Sequence, residues 1–330
     1  MDNEIIFTPH EVGLAGYNAA KRAIEYQDVG IPLKIGNSPI GEYFADLLPW
    51  EICAIQGQTH NGKTMFMDWW ERKTVETLNK LGQEGDIVHI SHEESIEAMA
   101  FTEYGRLLDV LPATLARGEF KDLGKLEIAM QTIDACRIWR IAESAERPEG
   151  EALTLSNVYR ALQAMQTGMI TDARKIRLVA LDYLQAMPID PEVKQVALDA
   201  QRRLQVRNDV YRLRKMTVHL KTPILVAVQC KQKLEGANPP YEIPGIYDGE
   251  ETSSIAQRFD RIISLWMPKT SRPVGYQITH EGQPLFKVTE DGVFIKINKQ
   301  RGGLPSGKFF ELRIDYQKRE YVDAYDKVKK

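Results

Sequence analysis

Gly57-Gln58-Thr59-His60-Asn61-Gly62-Lys63-Thr64 fits the pattern G-x-x-x-x-G-K-[ST], and its flanks matter as much as the motif. The apolar run at 52–56 reads as a strand, and the stretch at 65–81, which has few breakers, reads as a helix. Strand, glycine loop and helix in that order suit phosphate binding, because consecutive backbone N–H groups then curl around a phosphate at a helix N-terminus. Gly57 and Gly62 allow the close approach, Lys63 reaches the β- and γ-phosphates, and the Thr64 hydroxyl ligates Mg²⁺. All the residues from Gly57 to Thr64 are therefore candidate ATP contacts. The four specified positions recur by chance in roughly one chain per hundred of this length. The matching flanks leave an ordinary glycine turn as the weaker reading.

Outward from this loop the pattern repeats. Short apolar runs at 87–91, 138–142, 178–182, 224–229 and 262–266 alternate with helical stretches at 95–108, 156–166 and about 193–220. That rhythm predicts an α/β fold with a mostly parallel twisted sheet and crossover helices. After residue 266 the runs at 276–279, 293–298, 309–315 and 320–322 are split by glycine-rich turns and predict closing antiparallel strands. Upstream, Thr8-Pro9-His10-Glu11 predicts a capping box that opens a helix ending before Gly30-Ile31-Pro32. Its small-residue stripe, Val12, Ala15 or Gly16, Ala19 and Ala23, has little to bury alone. The helix docks either on another surface or on its own core. The simplest division is an arm at 1–32 and one catalytic domain at 33–330.

Composition sets the frame. The 330 residues are 43% hydrophobic, enough for a large soluble core, and no apolar run approaches the roughly 20 residues that a membrane span needs. The N-terminus lacks the basic start and apolar stretch of a signal peptide, so the expected compartment is the cytoplasm. Cys53, Cys136 and Cys230 show no metal or disulfide spacing and read as reduced core thiols. A net charge of -3 means that any nucleic acid must be held by a local basic patch.

Two further strand ends carry acids. Arg177-Leu178-Val179-Ala180-Leu181-Asp182 is an apolar strand ending in the carboxylate expected to hold the magnesium shell. Ile90-Ser91-His92-Glu93-Glu94 ends another with paired carboxylates, where ligands of an open α/β sheet bind. Glu93 is the candidate general base for the attacking water; the alternative is that Glu93 and Glu94 only favour the start of the next helix.

These motifs, with Leu181-Asp182-Tyr183-Leu184-Gln185, resemble the C-terminal motor domain of DnaB-type replicative helicases, a RecA-like P-loop ATPase. Ser91-His92-Glu93 matches the family's Ser-x-Glu. Val228-Gln229 matches in part its strand ending in Ser-Gln, with Val228 in place of Ser. Ile255-Ala256-Gln257-Arg258-Phe259-Asp260 and Lys299-Gln300-Arg301-Gly302-Gly303 match two later motifs in the same order. The resemblance implies a homo-oligomeric ring, hexameric in that family, that uses ATP and Mg²⁺ on single-stranded DNA. It implies that Gln229 couples the γ-phosphate to the DNA loops and that Lys299 and Arg301 reach into a neighbouring subunit's nucleotide. A loader or another replication protein is the implied further partner. The helical collar domain of bacterial relatives is not matched, and residues 109–136 and 231–252 match no motif of the family.

The resemblance puts the pore loops near 187–194 and 231–251, with Lys231 and Lys233 as the candidate DNA contacts. Asp248, Glu250 and Glu251 in the second loop weigh against strong DNA binding. The basic run Arg202, Arg203, Arg207, Arg212, Arg214, Lys215 and Lys221 reads as a solvated helix face or, less simply, as a DNA contact. Two functions stay open: a helicase or translocase motor, and an ATP-dependent assembly or recruitment switch that does not unwind.

Overall fold

The structure, a computed structural model, describes residues 8–26, 30–35, 38–144, 152–169, 172–188, 198–231, 240–250, 253–301 and 306–324. Helix α1 (Pro9–Tyr26) opens on the expected capping box. Thr8 N–H and Oγ1 donate to Glu11 Oε2 at 2.6 and 2.8 Å, and Glu11 N–H donates back to Thr8 Oγ1 at 3.3 Å. Its side chains at 9–18, 20 and 21 are exposed, Val12 and Tyr17 among them, and an added Cβ at Gly13 or Gly16 would meet nothing within 4 Å. Of the two sequence readings, these residues do not support packing on the helix's own core.

After α2 (Ile40–Tyr43) the expected alternation begins. In chain order it runs β1 (Ile52–Gly57), α3 (Lys63–Lys80), β2 (Asp86–Ser91), α4 (Ile96–Leu108), α5 (Pro112–Ala116), α6 (Leu123–Asp134), β3 (Ile138–Ile141), α7 (Leu155–Thr167), β4 (Ile176–Asp182), α8 (Leu198–Leu220), β5 (Ile224–Gln229), α9 (Ser254–Arg258) and β6 (Arg261–Trp266). The chain closes with β7 (Gln277–His280), β8 (Gln283–Lys287), β9 (Gly292–Lys299), β10 (Phe309–Asp315) and β11 (Glu320–Asp323).

Among the described residues the main sheet has nine strands in the order β11-β10-β9-β6-β1-β5-β4-β2-β3. From β6 to β3 neighbours are parallel, and β9, β10 and β11 extend the sheet antiparallel, as the sequence led one to expect. The strand period of two sorts side chains to the faces. Cys53, Ile55, Leu178, Ala180, Leu225 and Ala227 join a core with Phe66, Trp69 and Trp70 of α3, while Ile52, Ala54, Val179, Leu181, Val226 and Val228 join one with α7 and α8. Both faces are covered, which is why these strands read as continuous apolar runs.

Several sequence expectations need correcting. The run at 276–279 does not close the sheet; β7 pairs with β8 as a separate hairpin. Its strands are mostly exposed, so they lack the apolar face that would dock them on the core. Cys136 is exposed, while Cys53 and Cys230 are buried free thiols. Residues 109–136 form α5 and α6, which pack against α4. Helix α8 is described from Leu198 onward, and much of its basic run serves the fold. Arg202 donates to Met187 O and Gln185 O, Arg212 to Ser156 Oγ, and Arg214 pairs with Asp260.

Candidate active site

The phosphate loop joins β1 to α3 at the carboxyl ends of the parallel strands. Gly62 caps α3 in the left-handed region (φ +76°), and a Cβ there would meet Met267 Sδ at 3.2 Å and Tyr321 Oη at 3.4 Å. Glycine is therefore required both by backbone and by space. A Cβ on Gly57 would lie 3.2 Å from Leu265 O. His60 also takes a positive φ of 62° at the exposed tip, beside exposed Thr59. Asn61 is buried; its Oδ1 accepts from Met267 N–H at 2.6 Å, tying the loop to the end of β6. Gln58 donates to Lys231 O at 3.2 Å.

Lys63 Nζ donates to Gly57 O, Gln58 O and Gln229 Oε1 at 3.0, 3.1 and 3.0 Å. These acceptors are neutral, and burial holds the ammonium below the ordinary lysine pKa against the opposing pull of Asp182. A half-buried ammonium whose hydrogen bonds all go to neutral oxygens can exchange them for those of an anion. Gln229, at the end of β5, also donates to Thr59 Oγ1 at 2.7 Å, so it touches both sides of the loop.

Thr64 Oγ1 donates to Asp182 Oδ2 at 2.5 Å. Asp182 ends β4 and is buried, and desolvation pushes its carboxyl up to about 6 despite the Thr64 hydrogen bond. A hydroxyl and a carboxylate side by side are hard oxygen donors, and burial disfavours the bare carboxylate anion; both features fit Mg²⁺. Glu93 follows the end of β2, its N–H donating to Ser91 Oγ at 3.3 Å. Glu94 N–H donates to the same oxygen at 2.8 Å. Burial raises the Glu94 carboxyl, with Asp68 adding to the effect. Lys63, Thr64, Glu93, Glu94 and Gln229 all line one cleft of about 590 Å³.

Lys299 and Arg301 lie elsewhere. Lys299, the last residue of β9, donates to Ala256 O at 2.7 Å, and Arg301 pairs with the buried Asp260 at 3.0 Å. Asp260 in turn accepts from Ile52 N–H at 3.0 Å, at the opposite end of β1 from the phosphate loop. With β1 spanning Ile52–Gly57, that is about 16 Å along the strand at about 3.3 Å per residue, beyond the reach of an arginine side chain. Lys231 stands just past β5, its N–H donating to Asp248 O at 3.0 Å. Lys233, the other candidate DNA contact, lies outside the described residues.

Sequence reasoning missed the side-chain role of Asn61 and a buried ionic group behind the cleft. His89 Nδ1 lies 2.6 Å from Glu71 Oε1; Arg140 pairs with Glu71 at 3.2 Å, and Arg319, which also lines the cleft, pairs with Asp68 at 3.0 Å. Asp68, Glu71 and His89 could converge on a metal, but the two arginines already neutralise the acids, as buried charges require. The signal available was a histidine and acids placed inside otherwise apolar periodic stretches.

The model of the DnaB-like helicase C-terminal domain matches residues 34–321. The chain belongs to that family. Among solved structures, one that is an ATPase domain superposes with a TM-score of 0.68 at 17% identity, over 94% of this chain and 97% of that one. A DnaB-like replicative helicase, studied with its interactions with primase, superposes with a TM-score of 0.67 at 17% identity, over 94% of this chain and 66% of that one. At that identity the likeness shows the shared RecA-like fold. No curated protein matches the chain. Membership in the DnaB-like family makes the chain a nucleotide-binding, helicase-type ATPase domain. Among the described residues no helix is long and apolar enough to cross a membrane.

Proposed function

We propose that the chain is an ATP-driven helicase or translocase motor that works in the cytoplasm as a homo-oligomeric, hexameric ring on single-stranded DNA. The observation that carries this reading is the division of charge between two ends of one sheet. Lys63, Thr64, Asp182 and Gln229 converge at one end, while Lys299 and Arg301 sit at the other, too far to serve their own loop.

In this reading the loop N–H groups from Gly57 to Thr64 hold the ATP phosphates, and Lys63 exchanges its neutral acceptors for β- and γ-phosphate oxygens. Thr64 and the Asp182 carboxylate would hold Mg²⁺, which when bound would neutralise charge on the phosphates. Glu93 orients the attacking water and takes its proton. Gln229 leaves Lys63 Nζ to follow the γ-phosphate. Lys299 and Arg301 of a neighbouring copy add positive charge to the transferred phosphoryl group, as an arginine finger does. Lys231 and Lys233 contact the DNA backbone, and a loader or another replication protein places the ring.

The arm at 1–32, distinct from the catalytic domain at 33–330, supplies an exposed helix for a neighbouring subunit in this assembly. The competing reading is a switch that assembles on DNA or a partner without unwinding; the exposed acid Glu250 in the second loop favours it, whereas Asp248 is buried and holds Gly245 N–H. A forked-duplex assay with ATP decides between them. Strand separation that disappears in Lys63→Ala supports the motor. DNA-stimulated hydrolysis without separation rejects it in favour of the switch.

A further inference from the structure

The chain leaves β5 at Gln229 and later returns to it. Cys230 forms an antiparallel bridge with Gly249, Lys231 N–H donates to Asp248 O at 3.0 Å, and Glu250 N–H donates to Gln229 O at 2.8 Å. The returning leg is fixed from behind. Asp248 is fully buried and its Oδ2 accepts from Gly245 N–H at 2.6 Å; a Cβ on Gly249 would come within 3.3 Å of Ile255 Cδ1. Gln185 clamps the junction, accepting from Gln229 N–H at 3.1 Å while its Nε2 donates to Gln229 O at 3.1 Å and reaches Glu250 O at 3.5 Å. The leg is thus seated on the backbone of the residue whose side chain touches Lys63 and Thr59.

What this leg presents to the cleft is a carboxylate. Glu250 is exposed, and it lines the cleft beside Glu93, Gln229 and Lys63. Glu93 follows the end of a buried, fully paired strand, whereas Glu250 follows one isolated bridge and a few hydrogen bonds. Repulsion between like charges a few ångströms apart at a partly solvated site is comparable with the net worth of one or two such hydrogen bonds. Charge added beside both acids therefore displaces the weaker seat.

We propose that Glu250 makes the seat of residues 248–250 on Gln229 and Cys230 a sensor of the γ-phosphate, loosened by a triphosphate and kept by a diphosphate. The inference rests on the nucleotide-binding reading of the cleft. It links the phosphate site to the segment that begins at Lys231 through a residue that neither hydrolyses nor grips the nucleotide.

Hydrogen exchange of the full chain, read by mass spectrometry on peptides covering 229–231 and 240–250, tests it in the presence of Mg²⁺ with saturating ADP or ATPγS, occupancy being measured on the same samples. The expected result is exchange on the order of fivefold faster with ATPγS than with ADP in these peptides, a local opening rather than global unfolding. Glu250→Gln should abolish the difference, and Glu250→Asp should keep most of it. Equal protection with both nucleotides bound, or an undiminished difference in Glu250→Gln, overturns the sensor alone. Greater protection with ATPγS also overturns it, because Glu250 would then be drawn in by the metal. Failure of ATPγS to bind overturns the nucleotide reading and the sensor together.

Discussion

The two ends of the central strands handle positive charge in opposite ways. Where β1 and β5 end, the hydrogen bonds of Lys63 go to neutral oxygens, which the proposed function replaces with phosphate oxygens. Where β1 and β6 begin, the buried Arg261 donates to Glu51 Oε2 at 2.7 and 2.9 Å and to Asp46 O at 2.9 Å, so its charge is spent on the fold. Arg301 stands between these cases: it pairs with buried Asp260, yet its side chain is 55% exposed, and Arg214 and Ile52 N–H also hold Asp260, so Arg301 can leave without stranding that carboxylate. The difference separates a cation proposed to bind from one that braces the fold, although all are Lys or Arg near strand ends.

The largest expected effect is at Lys63. Lys63→Ala should leave hydrolysis below detection in a phosphate-release assay while the far-ultraviolet circular dichroism stays native, because one fixed charge on the transferred phosphate is lost without a core group being removed. Near-normal turnover would erase the contrast between the two ends.

Glu93→Gln should lower turnover by about 10²- to 10⁴-fold with nucleotide binding retained, the range for loss of a positioned base. Glu94→Gln should cost far less. If the two exchange behaviour, the base is one residue further along β2's exit than the Ser-x-Glu spacing implies.

At the bracing end the outcome should be a stability loss instead. Arg261→Ala leaves Glu51 buried without its partner and should cost about 3–5 kcal/mol in urea unfolding, while the folded fraction still binds nucleotide. A stable variant with lost hydrolysis would place Arg261 among the binding cations.

A smaller effect concerns Asp182. Its folded carboxyl lies at about 6, raised from an ordinary value of 3.8, so the neutral form is the one the fold favours. The stability it contributes is full below that ordinary value and is lost as pH rises through about 6. Magnesium needs the anion, so Mg²⁺-dependent nucleotide affinity should rise through the same window in calorimetric titrations. Asp182→Asn should flatten both dependences.

How much of this was legible in the sequence follows from the range of each signal. The phosphate loop, Asp182 and the alternation of strands and helices are written in local spacing, and the matching strands and helices lie within a few residues of the expected bounds. The helices α5 and α6 sit in a stretch with short, weak periodicity, and the β7–β8 hairpin looked like sheet because its pattern says nothing about which partner it pairs with. Asn61 and Met267, Arg319 and Asp68, and Gln185 and Gln229 are joined across long stretches of chain, so no local pattern announces them. Lys299 and Arg301 were legible only as matches to a motif; that they face away from their own loop required the register of β9 on β6.

The most direct test of a nucleotide site shared between subunits uses two inactive proteins. Arg301→Ala should bind nucleotide normally and hydrolyse it roughly 10³-fold or more slowly than wild type. Mixed with Lys63→Ala protein under conditions where subunit exchange is demonstrated by fluorescence transfer, it should regain hydrolysis, because some interfaces then join an intact loop to an intact Arg301. Activity in the mixture that stays at the level of either variant alone, with exchange proven, would contradict the account.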